Sequence, residues 1–251
     1  MQNRYAADIG DFGKFHLLRY LFTQSSYNLK QIWYMYPDES HNSDGMYIDY
    51  FEKVEGQDRV LEETFKTIIK NTRSVKALEN ANLILNCNYY SSFVNKNGKD
   101  DLAFRKTWLK EALEFSKKAD FIFVDPDNGI ATKLVEQENI KDIEILGFNS
   151  FSKKSKAGKY IFLDEIELFY DLGKGVVVYH HLNRTMAHDK QIELLKSKLE
   201  ERFFKVLAIK HKPYSPRVYF FILKEIETYE FCLKNLSSFE KEFSHHWQLF
   251  L

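Results

Sequence analysis

Short apolar runs alternate with segments of helical spacing along most of this 251-residue chain. An unbroken apolar run is typical of a strand covered on both faces, whereas apolar residues that recur every three or four positions indicate an amphipathic helix. Their alternation predicts a mostly parallel sheet flanked by helices. The predicted strands are residues 31–36, 82–87, 121–124, 175–179, 204–210 and 218–223, and the predicted helices are residues 11–22, 58–71, 101–118, 159–172, 188–203 and 228–243.

The end of the chain departs from this alternation. The last two predicted strands are separated only by residues 211–217, which is typical of an antiparallel hairpin and makes the sheet mixed. Residues 1–28 are predicted to form an N-terminal helical extension, with Asp11 as the N-cap of its helix. We therefore expect one α/β domain over residues 1–251: a Rossmann-like mixed, mostly parallel sheet flanked by helices, with a C-terminal antiparallel hairpin.

The composition excludes several classes of protein. The 36 basic residues balance 36 acidic residues, which argues against a wholly basic nucleic-acid coat but allows a local basic face. Cys87 and Cys232 form no Cys-x-x-Cys pair, so a structural zinc site and a disulfide scaffold are not expected. The sequence has no apolar signal segment and no apolar run of membrane-spanning length. We expect a cytoplasmic protein without a membrane partner.

The central motif is the apolar run Phe121–Val124, which leads directly into Asp-Pro-Asp-Asn-Gly at residues 125–129. In open α/β sheets, ligands bind just outside the carboxyl ends of the strands. The run therefore delivers two carboxylates and an amide to the edge where a ligand is expected. The alternative is purely structural, because proline, asparagine and glycine also make good turn residues.

Three other features each allow a structural and a functional interpretation. Lys14 lies in the first turn of the first predicted helix, where its charge opposes the helix dipole. It is either a solvated charge or a cation held near a phosphate or a carboxylate. The 22 Phe and 15 Tyr residues either fill the core or, in part, stack on bases. The basic run at residues 153–156 is either a solvated loop or a lid that meets nucleic-acid phosphate.

The first predicted strand, residues 31–36, ends in a polar loop over residues 37–45. A Rossmann nucleotide site carries a Gly-x-Gly-x-x-Gly turn after this strand, and the sequence has none here. A cofactor is therefore held without the usual glycine turn, or no cofactor binds.

The order of elements, closed by an antiparallel hairpin, resembles the class I S-adenosylmethionine-dependent methyltransferase fold. Amino-methyltransferases of that class carry Asp/Asn-Pro-Pro-Tyr/Phe at the end of the fourth strand, where this chain has Asp-Pro-Asp-Asn at residues 125–128. Arg4-Tyr5 and the Gly-Asp-Phe-Gly-Lys segment at residues 10–14 are also similar to the opening of the family that methylates adenine N6 in large-subunit ribosomal RNA. This chain departs from the family in lacking the second proline and the aromatic residue of the motif, and the glycine-rich cofactor loop.

The resemblance implies an S-adenosylmethionine-dependent methyltransferase that acts on an amino group of a nucleic-acid base, adenine N6 being favoured. A flipped-out base would place its amino group against Asp125 and the Pro126 carbonyl, which accept its hydrogen bonds. Lys14, Tyr5 and Asp125 are then expected to share one pocket, and Tyr5, Tyr179 or Tyr214 would supply the missing stacking ring. The implied catalytic residues are Asp125, Pro126, Asp127, Asn128 and Lys14, the implied substrate-binding residues are Arg4, Tyr5, His180 and Arg184, and the implied cofactor-binding residues are Asp38 and Asn86.

Two other functions stay open on the residues alone. A Mg²⁺-dependent nuclease, or another phosphodiester-cleaving enzyme, would use carboxylates and imidazole near the strand ends, although no Glu-x-Lys signature follows a strand. A non-catalytic nucleic-acid-binding module would use the Asp-Pro-Asp-Asn-Gly segment only as a turn. His180 and His181 are adjacent at a predicted strand end, so their side chains are not both expected on one metal. The residues considered as metal ligands are Asp125, Asp127, Glu165 and His180.

Overall fold

The computed structural model describes residues 1–39, 45–137, 140–214 and 216–251. Residues 40–44 of the predicted polar loop and Ser215 of the predicted hairpin connection lie outside the described residues. The helices are α1 (Ile9–Phe22), α2 (Phe51–Val54), α3 (Arg59–Lys70), α4 (Val75–Asn80), α5 (Leu102–Ser116), α6 (Leu163–Leu172), α7 (His188–Glu200) and α8 (Ile226–Glu242). The strands are β1 (Leu29–Trp33), β2 (Cys87–Tyr90), β3 (Phe121–Asp125), β4 (Gly129–Ile130), β5 (Thr132–Gln137), β6 (Ile140–Ile145), β7 (Tyr160–Ile161), β8 (Gly175–His181), β9 (Lys205–His211), β10 (Arg217–Leu223) and β11 (Trp247–Phe250).

Seven of these strands form one mixed sheet in the order β2-β1-β3-β8-β10-β9-β11. The pairs β1–β2, β1–β3 and β3–β8 are parallel, whereas β10 and β11 run antiparallel to their neighbours. The predicted fold class is confirmed, including the C-terminal antiparallel hairpin formed by β9 and β10. The strand order reverses at β1, because β2 and β3 lie on opposite sides of it. Ligands of open α/β sheets bind beyond the carboxyl ends of the strands at such a point.

Helices cover both faces of the sheet, which explains why its central strands are apolar throughout. In β3, Phe121 and Phe123 point into a core shared with α1, α3, α4 and α8, whereas Ile122 and Val124 point into a core shared with α5, α6 and α7. All four side chains are fully buried. In the part of the chain that the structure describes, every helix is too short or too polar to span a bilayer.

The second strand begins where the sequence predicted that it would end. The apolar run Leu83–Leu85 predicted a strand over residues 82–87, but Leu83 and Ile84 pack into the core from a turn, and β2 covers Cys87–Tyr90. Hydrophobicity alone does not distinguish a short buried turn from a buried strand. Residue 86 therefore lies at the amino end of the parallel strands, where its carbonyl accepts a hydrogen bond from the Leu29 N–H.

Two helix starts also differ from prediction. Helix α1 begins at Ile9, and its N-cap is Asp8 rather than Asp11, because the Asp8 carboxylate accepts a hydrogen bond from the Asp11 N–H at 2.9 Å. Helix α6 begins at Leu163 rather than at residue 159, because β7 pairs with β4 immediately before it. The mixed stretch between these strands, for which the spacing predicted no regular element, contains the antiparallel hairpin β5–β6.

Candidate functional site

A cavity of about 620 Å³ opens at the carboxyl ends of β3 and β8. We call it the central cavity. Its walls come from the turn after β3, the start of α1, the segment after β8 and the connection that precedes β10. It therefore lies at the edge of the sheet where ligands of open α/β sheets bind, beside the strand at which the order reverses. Seven of the predicted site residues line it: Tyr5, Lys14, Asp125, Pro126, Asp127, Asn128 and Arg184.

One part of the central cavity is a buried cluster of charges. Lys14 Nζ donates hydrogen bonds to Asp125 Oδ2 and to Asp11 Oδ1, each at 2.7 Å. Burial opposes the charge on Lys14, but the two carboxylates outweigh burial and raise the pKa of Lys14. Burial raises the pKa of Asp125, and Lys14 offsets part of that rise. Lys14 is therefore a buried cation held by carboxylates, not a solvated charge.

Two glycines let helix α1 pack closely enough for this contact. A Cβ atom at Gly10 would lie 2.7 Å from Arg217 Nη2, and a Cβ atom at Gly13 would lie 2.7 Å from His211 Cε1. A larger residue at either position would displace the Arg217 or His211 side chain or shift the helix. Lys14 follows Gly13 directly, so its reach to Asp125 depends on this close packing.

Asp125 retains one acceptor that the protein does not use. The side chain is 3% exposed and lines the central cavity. Its Oδ2 accepts the bond from Lys14, whereas no side chain or N–H group of the described residues donates to its Oδ1. A ligand N–H group in the central cavity is a suitable donor to this atom, because a carboxylate oxygen accepts hydrogen bonds.

Asp127 is held by the N-terminal segment. The Gln2 Nε2 group donates to Asp127 Oδ2 at 2.8 Å, and the Met1 amino group forms an ion pair with Oδ1. Lys159 Nζ lies 3.5 Å from Oδ2. Burial raises the pKa of Asp127, but the Met1 amino group and the Gln2 hydrogen bond outweigh burial, so the net shift is downward. The carboxylate that replaces the second proline of the family motif thus anchors residues 1–2.

Tyrosine rings and arginines form other walls of the central cavity. The rings of Tyr47 and Tyr214 lie 5.3 Å apart, and Tyr5 lines the same space. Arg184 is exposed. Arg217 is only 7% exposed, its Nη1 has no hydrogen-bond partner, and no ion pair among the described residues includes it. The walls therefore combine stacking surfaces with cations.

Arg217 belongs to no motif that would mark it as a site residue in the sequence. A usable signal was its place in the predicted hairpin. An antiparallel strand starts at the edge where its parallel neighbours end, and Arg217 begins β10 opposite His181, the last residue of β8. The first residue of such a strand therefore belongs to the ligand edge of the sheet.

Four predicted site residues lie outside the central cavity. Arg4 Nη2 donates to the Tyr5 hydroxyl at 3.0 Å, so Arg4 supports Tyr5 and does not itself line the cavity. Asp38 is exposed and accepts a hydrogen bond from the Arg4 N–H at 3.3 Å. Asn86 lies at the opposite edge of the sheet, because β2 starts after it, so the structure does not bring it to the central cavity. His180 lines a second, separate cavity.

The side chains considered as metal ligands do not assemble into one site. Glu165 is bound by Arg105, with 2.7 Å between Arg105 Nε and Glu165 Oε1. His180 Nδ1 accepts a hydrogen bond from the Ile130 N–H at 3.0 Å. Asp125 and Asp127 each already contact a cation. Within residues 1–39, 45–137, 140–214 and 216–251, no group of three His, Cys, Asp or Glu side chains could hold a metal ion.

The residues around the end of β1 do not fit S-adenosylmethionine in its usual place. The cofactor's glycine-rich loop would follow β1, but the backbone there is already paired. The Met1 amino group donates to the Tyr34 carbonyl at 2.5 Å, and the Tyr36 N–H donates to the Met1 carbonyl at 2.8 Å. On the other side, the Val94 N–H donates to the Met35 carbonyl at 2.9 Å. Met1 is buried, so protein atoms fill this position.

No family model and no curated protein matches this sequence. The solved structures that are similar to it include the following three. A Legionella pneumophila protein of family DUF519 has 11% identity and a TM-score of 0.45 over 97% of this chain and 95% of its own. A putative ribosomal RNA methyltransferase from Plasmodium falciparum has 16% identity and a TM-score of 0.33 over 86% and 97%. Human methyltransferase-like protein 13, solved in complex with SAH, has 11% identity and a TM-score of 0.34 over 92% and 88%. Likenesses of this size assign neither a family nor an activity.

Proposed function

We propose that this protein takes a nucleic-acid base with an exocyclic amino group into the central cavity and methylates that group, adenine N6 being the favoured target. The observation that supports base recognition best is the unused Oδ1 acceptor of Asp125, in a cavity that also presents tyrosine rings. The methyl donor, S-adenosylmethionine, is proposed from the family resemblance alone, and its proposed place is outside the position after β1 that Met1 fills. DNA and RNA are both candidate substrates.

In this proposal the base amino group donates one hydrogen bond to Asp125 Oδ1 and a second to the Pro126 carbonyl oxygen. Lys14 holds Oδ2 at 2.7 Å, so the carboxylate is positioned before the base arrives. A hydrogen bond to an ionised acceptor is stronger than one between neutral groups. Two fixed acceptors orient the amino nitrogen and stabilise positive charge that develops on it.

The cavity walls supply the rest of the contacts. Tyr5, Tyr47 and Tyr214 are the proposed stacking surfaces for an unstacked base, a contact worth about 1–3 kcal/mol per base. Arg217 and Arg184 are the proposed partners of a phosphate group. A guanidinium matches phosphate with paired hydrogen bonds, and Arg217 has no protein carboxylate in contact within the described residues.

A non-catalytic nucleic-acid-binding module is the second candidate. It is favoured by one specific observation, the filled position beside β1, where Met1 is buried between Tyr34 and Tyr36. A protein of this kind would keep base recognition at Asp125 without transferring a methyl group. The two candidates therefore make the same prediction for binding and opposite predictions for reaction.

The experiment uses short single-stranded DNA and RNA oligonucleotides with one central adenine. Matched oligonucleotides carry purine, which lacks the N6 amino group, at the same position. Fluorescence anisotropy gives the affinities, and transfer of labelled methyl from S-adenosylmethionine gives the reaction. The variant is Asp125→Ala, in which Lys14 keeps its bond to Asp11. The control is Asp171→Ala, which removes an exposed carboxylate on α6.

We expect the native chain to prefer adenine over purine by about tenfold, which corresponds to about 1.4 kcal/mol for the amino contact. Asp125→Ala should abolish the preference and Asp171→Ala should keep it. Transfer of the labelled methyl group to adenine by the native protein supports the methyltransferase. A preference for adenine without methyl transfer supports the binding module and overturns the proposal that the protein is a methyltransferase. Equal affinity for adenine and purine overturns base recognition itself.

A further inference from the structure

A second cavity, of about 330 Å³, lies on the other side of the turn that carries Asn128. Its walls come from β4, from the β5–β6 hairpin, from the end of β8 and from the start of α7. It shares Asn128, His181 and Asn183 with the central cavity, so the two cavities are neighbours. No carboxylate of the described residues lines it. Apart from the two histidines, its one charged side chain from those residues is that of Lys154.

His180 presents a hydrogen-bond donor in this second cavity. Its Nδ1 accepts the Ile130 N–H at 3.0 Å, which places the ring proton on Nε2. The ring is 2% exposed, and Nε2 has no hydrogen-bond partner in the structure. Burial lowers the pKa of His180 to about 3, and the nearby His181 and Lys154 charges add to this effect. The ring is therefore neutral at physiological pH and its Nε2–H group is free to donate.

Gly129 brings the turn close enough to make this arrangement. Its φ is +89°, a backbone conformation that favours glycine. A Cβ atom there would lie 2.5 Å from His180 Cα and 2.6 Å from His180 Nδ1. The close approach fixes the tautomer of His180, because it positions the Ile130 N–H on Nδ1.

Lys154 supplies a cation without a counter-ion. Its Nζ donates to the Thr132 carbonyl at 2.9 Å and lies 4.4 Å from the centroid of the Tyr160 ring. None of the ion pairs formed by the described residues includes Lys154. Burial lowers the pKa of its ammonium group, which an anion in the cavity would reverse. A half-buried ammonium group and a buried N–H donor in one cavity without a carboxylate are suited to an oxyanion.

We propose that the second cavity is a phosphate site, in which Lys154 Nζ and His180 Nε2–H bind the oxygens of a phosphate or phosphodiester group. Binding of free phosphate does not rest on the proposed function. Binding of a nucleic-acid phosphodiester does rest on it, since a nucleotide next to the recognised base would reach past Asn128 into this cavity. Within the basic run at residues 153–156, Lys154 therefore belongs to the site, whereas Lys153 is exposed to solvent.

The test is calorimetric titration of the full chain with inorganic phosphate alone. The variants are Lys154→Met, which removes the cation, and His180→Asn, whose side-chain oxygen can still accept the Ile130 N–H while the Nε2 donor is lost. The control is Lys153→Met, which makes the same charge change one residue away at an exposed position. Thermal unfolding of each variant verifies that it is folded before titration.

We expect Lys154→Met to weaken phosphate binding about tenfold or more, His180→Asn to weaken it several-fold, and Lys153→Met to leave it unchanged. Asp125→Ala should also leave phosphate affinity unchanged, so failure of the base proposal and failure of this one are distinguishable. If Lys154→Met also weakens oligonucleotide binding, the site binds the phosphodiester of a nucleic acid. If oligonucleotide affinity is unchanged in Lys154→Met, the site binds only free phosphate. No phosphate binding by the native chain, or equal losses in Lys153→Met and Lys154→Met, would overturn the proposal.

Discussion

Lys14 Nζ lies 2.7 Å from Asp125 Oδ2, a contact that joins helix α1 to the end of β3 across 111 residues of sequence. The same ammonium group binds Asp11 Oδ1 at 2.7 Å. All three side chains are buried, so two carboxylates share one cation in a region of low polarity. Removal of that cation leaves two buried charges without a partner, whereas neutralisation of one carboxylate leaves a balanced pair.

Lys14→Met should therefore reduce the free energy of unfolding by about 3–5 kcal/mol at pH 7. Asp125→Asn should cost much less, about 1 kcal/mol, because the amide oxygen can still accept from Lys14 while Asp11 balances its charge. Urea unfolding followed by circular dichroism gives both values. The double variant should be more stable than Lys14→Met alone, since only one buried carboxylate then lacks a cation. Equal losses in the two single variants would contradict this account of the cluster.

Gly129→Ala should destabilise the protein more than Gly98→Ala. Both glycines have positive φ, +89° and +78°, so both substitutions carry the left-handed strain of about 1–2 kcal/mol. Only Gly129 faces a backbone neighbour, since its added Cβ would lie 2.5 Å from His180 Cα, while none of the described atoms lies within 4 Å of a Cβ at Gly98. We expect Gly129→Ala to reduce the free energy of unfolding, measured in urea, by about 1–3 kcal/mol more than Gly98→Ala does. Comparable losses would show that the close approach is not a constraint.

The sequence predicts the part of the site that is local to one strand. An apolar run that ends in Asp-Pro-Asp-Asn-Gly fixes both the strand and the edge at which Asp125 emerges, because strand direction in a parallel sheet determines where its carboxyl end lies. The contact between Lys14 and Asp125 joins distant segments, and only the family resemblance placed those two residues in one pocket. Arg217 carries no motif, and its position depends on the register of β10 against β8.

The errors in the sequence analysis have the same physical origin. Leu83 and Ile84 are apolar because they fill the core from a turn, and hydrophobicity does not reveal which backbone shape presents them. The strand was therefore predicted too early, and Asn86 lies at the amino end of β2 and not within the strand. Glu165 and His180 are polar residues that the sequence analysis expected near strand ends, where metal ligands also occur. Their actual partners, Arg105 and the Ile130 N–H, come from elements that the pattern does not bring together.

The ion pair of Arg105 and Glu165 is predicted to be structural. Arg105 Nε and Nη2 donate to the two Glu165 carboxylate oxygens at 2.7 and 3.1 Å, and both side chains are fully buried. Arg105→Met leaves an unpaired buried carboxylate and should cost about 3–5 kcal/mol of unfolding free energy. Replacing both residues with Met and Leu should restore much of the loss, because an apolar pair needs no countercharge. The folded fraction of each variant should bind the oligonucleotide with native affinity. If Glu165→Gln lost oligonucleotide affinity without losing stability, Glu165 would be a functional residue and not a structural one.

His180 predicts a specific dependence of stability on pH. Its pKa falls to about 3 in the folded state, mainly through burial, whereas an unfolded histidine has a pKa near 6.5. Between these values the unfolded chain binds more protons, so the contribution of His180 is fully present above about pH 6.5 and is lost as the pH falls towards 3. At pH 5 the loss is about 2 kcal/mol, at about 1.4 kcal/mol per pH unit. His180→Asn should therefore narrow the difference in unfolding free energy between pH 7 and pH 5 by about 2 kcal/mol. If His180→Asn and the native chain lose stability equally on acidification, then the buried neutral imidazole assigned to the second cavity is incorrect.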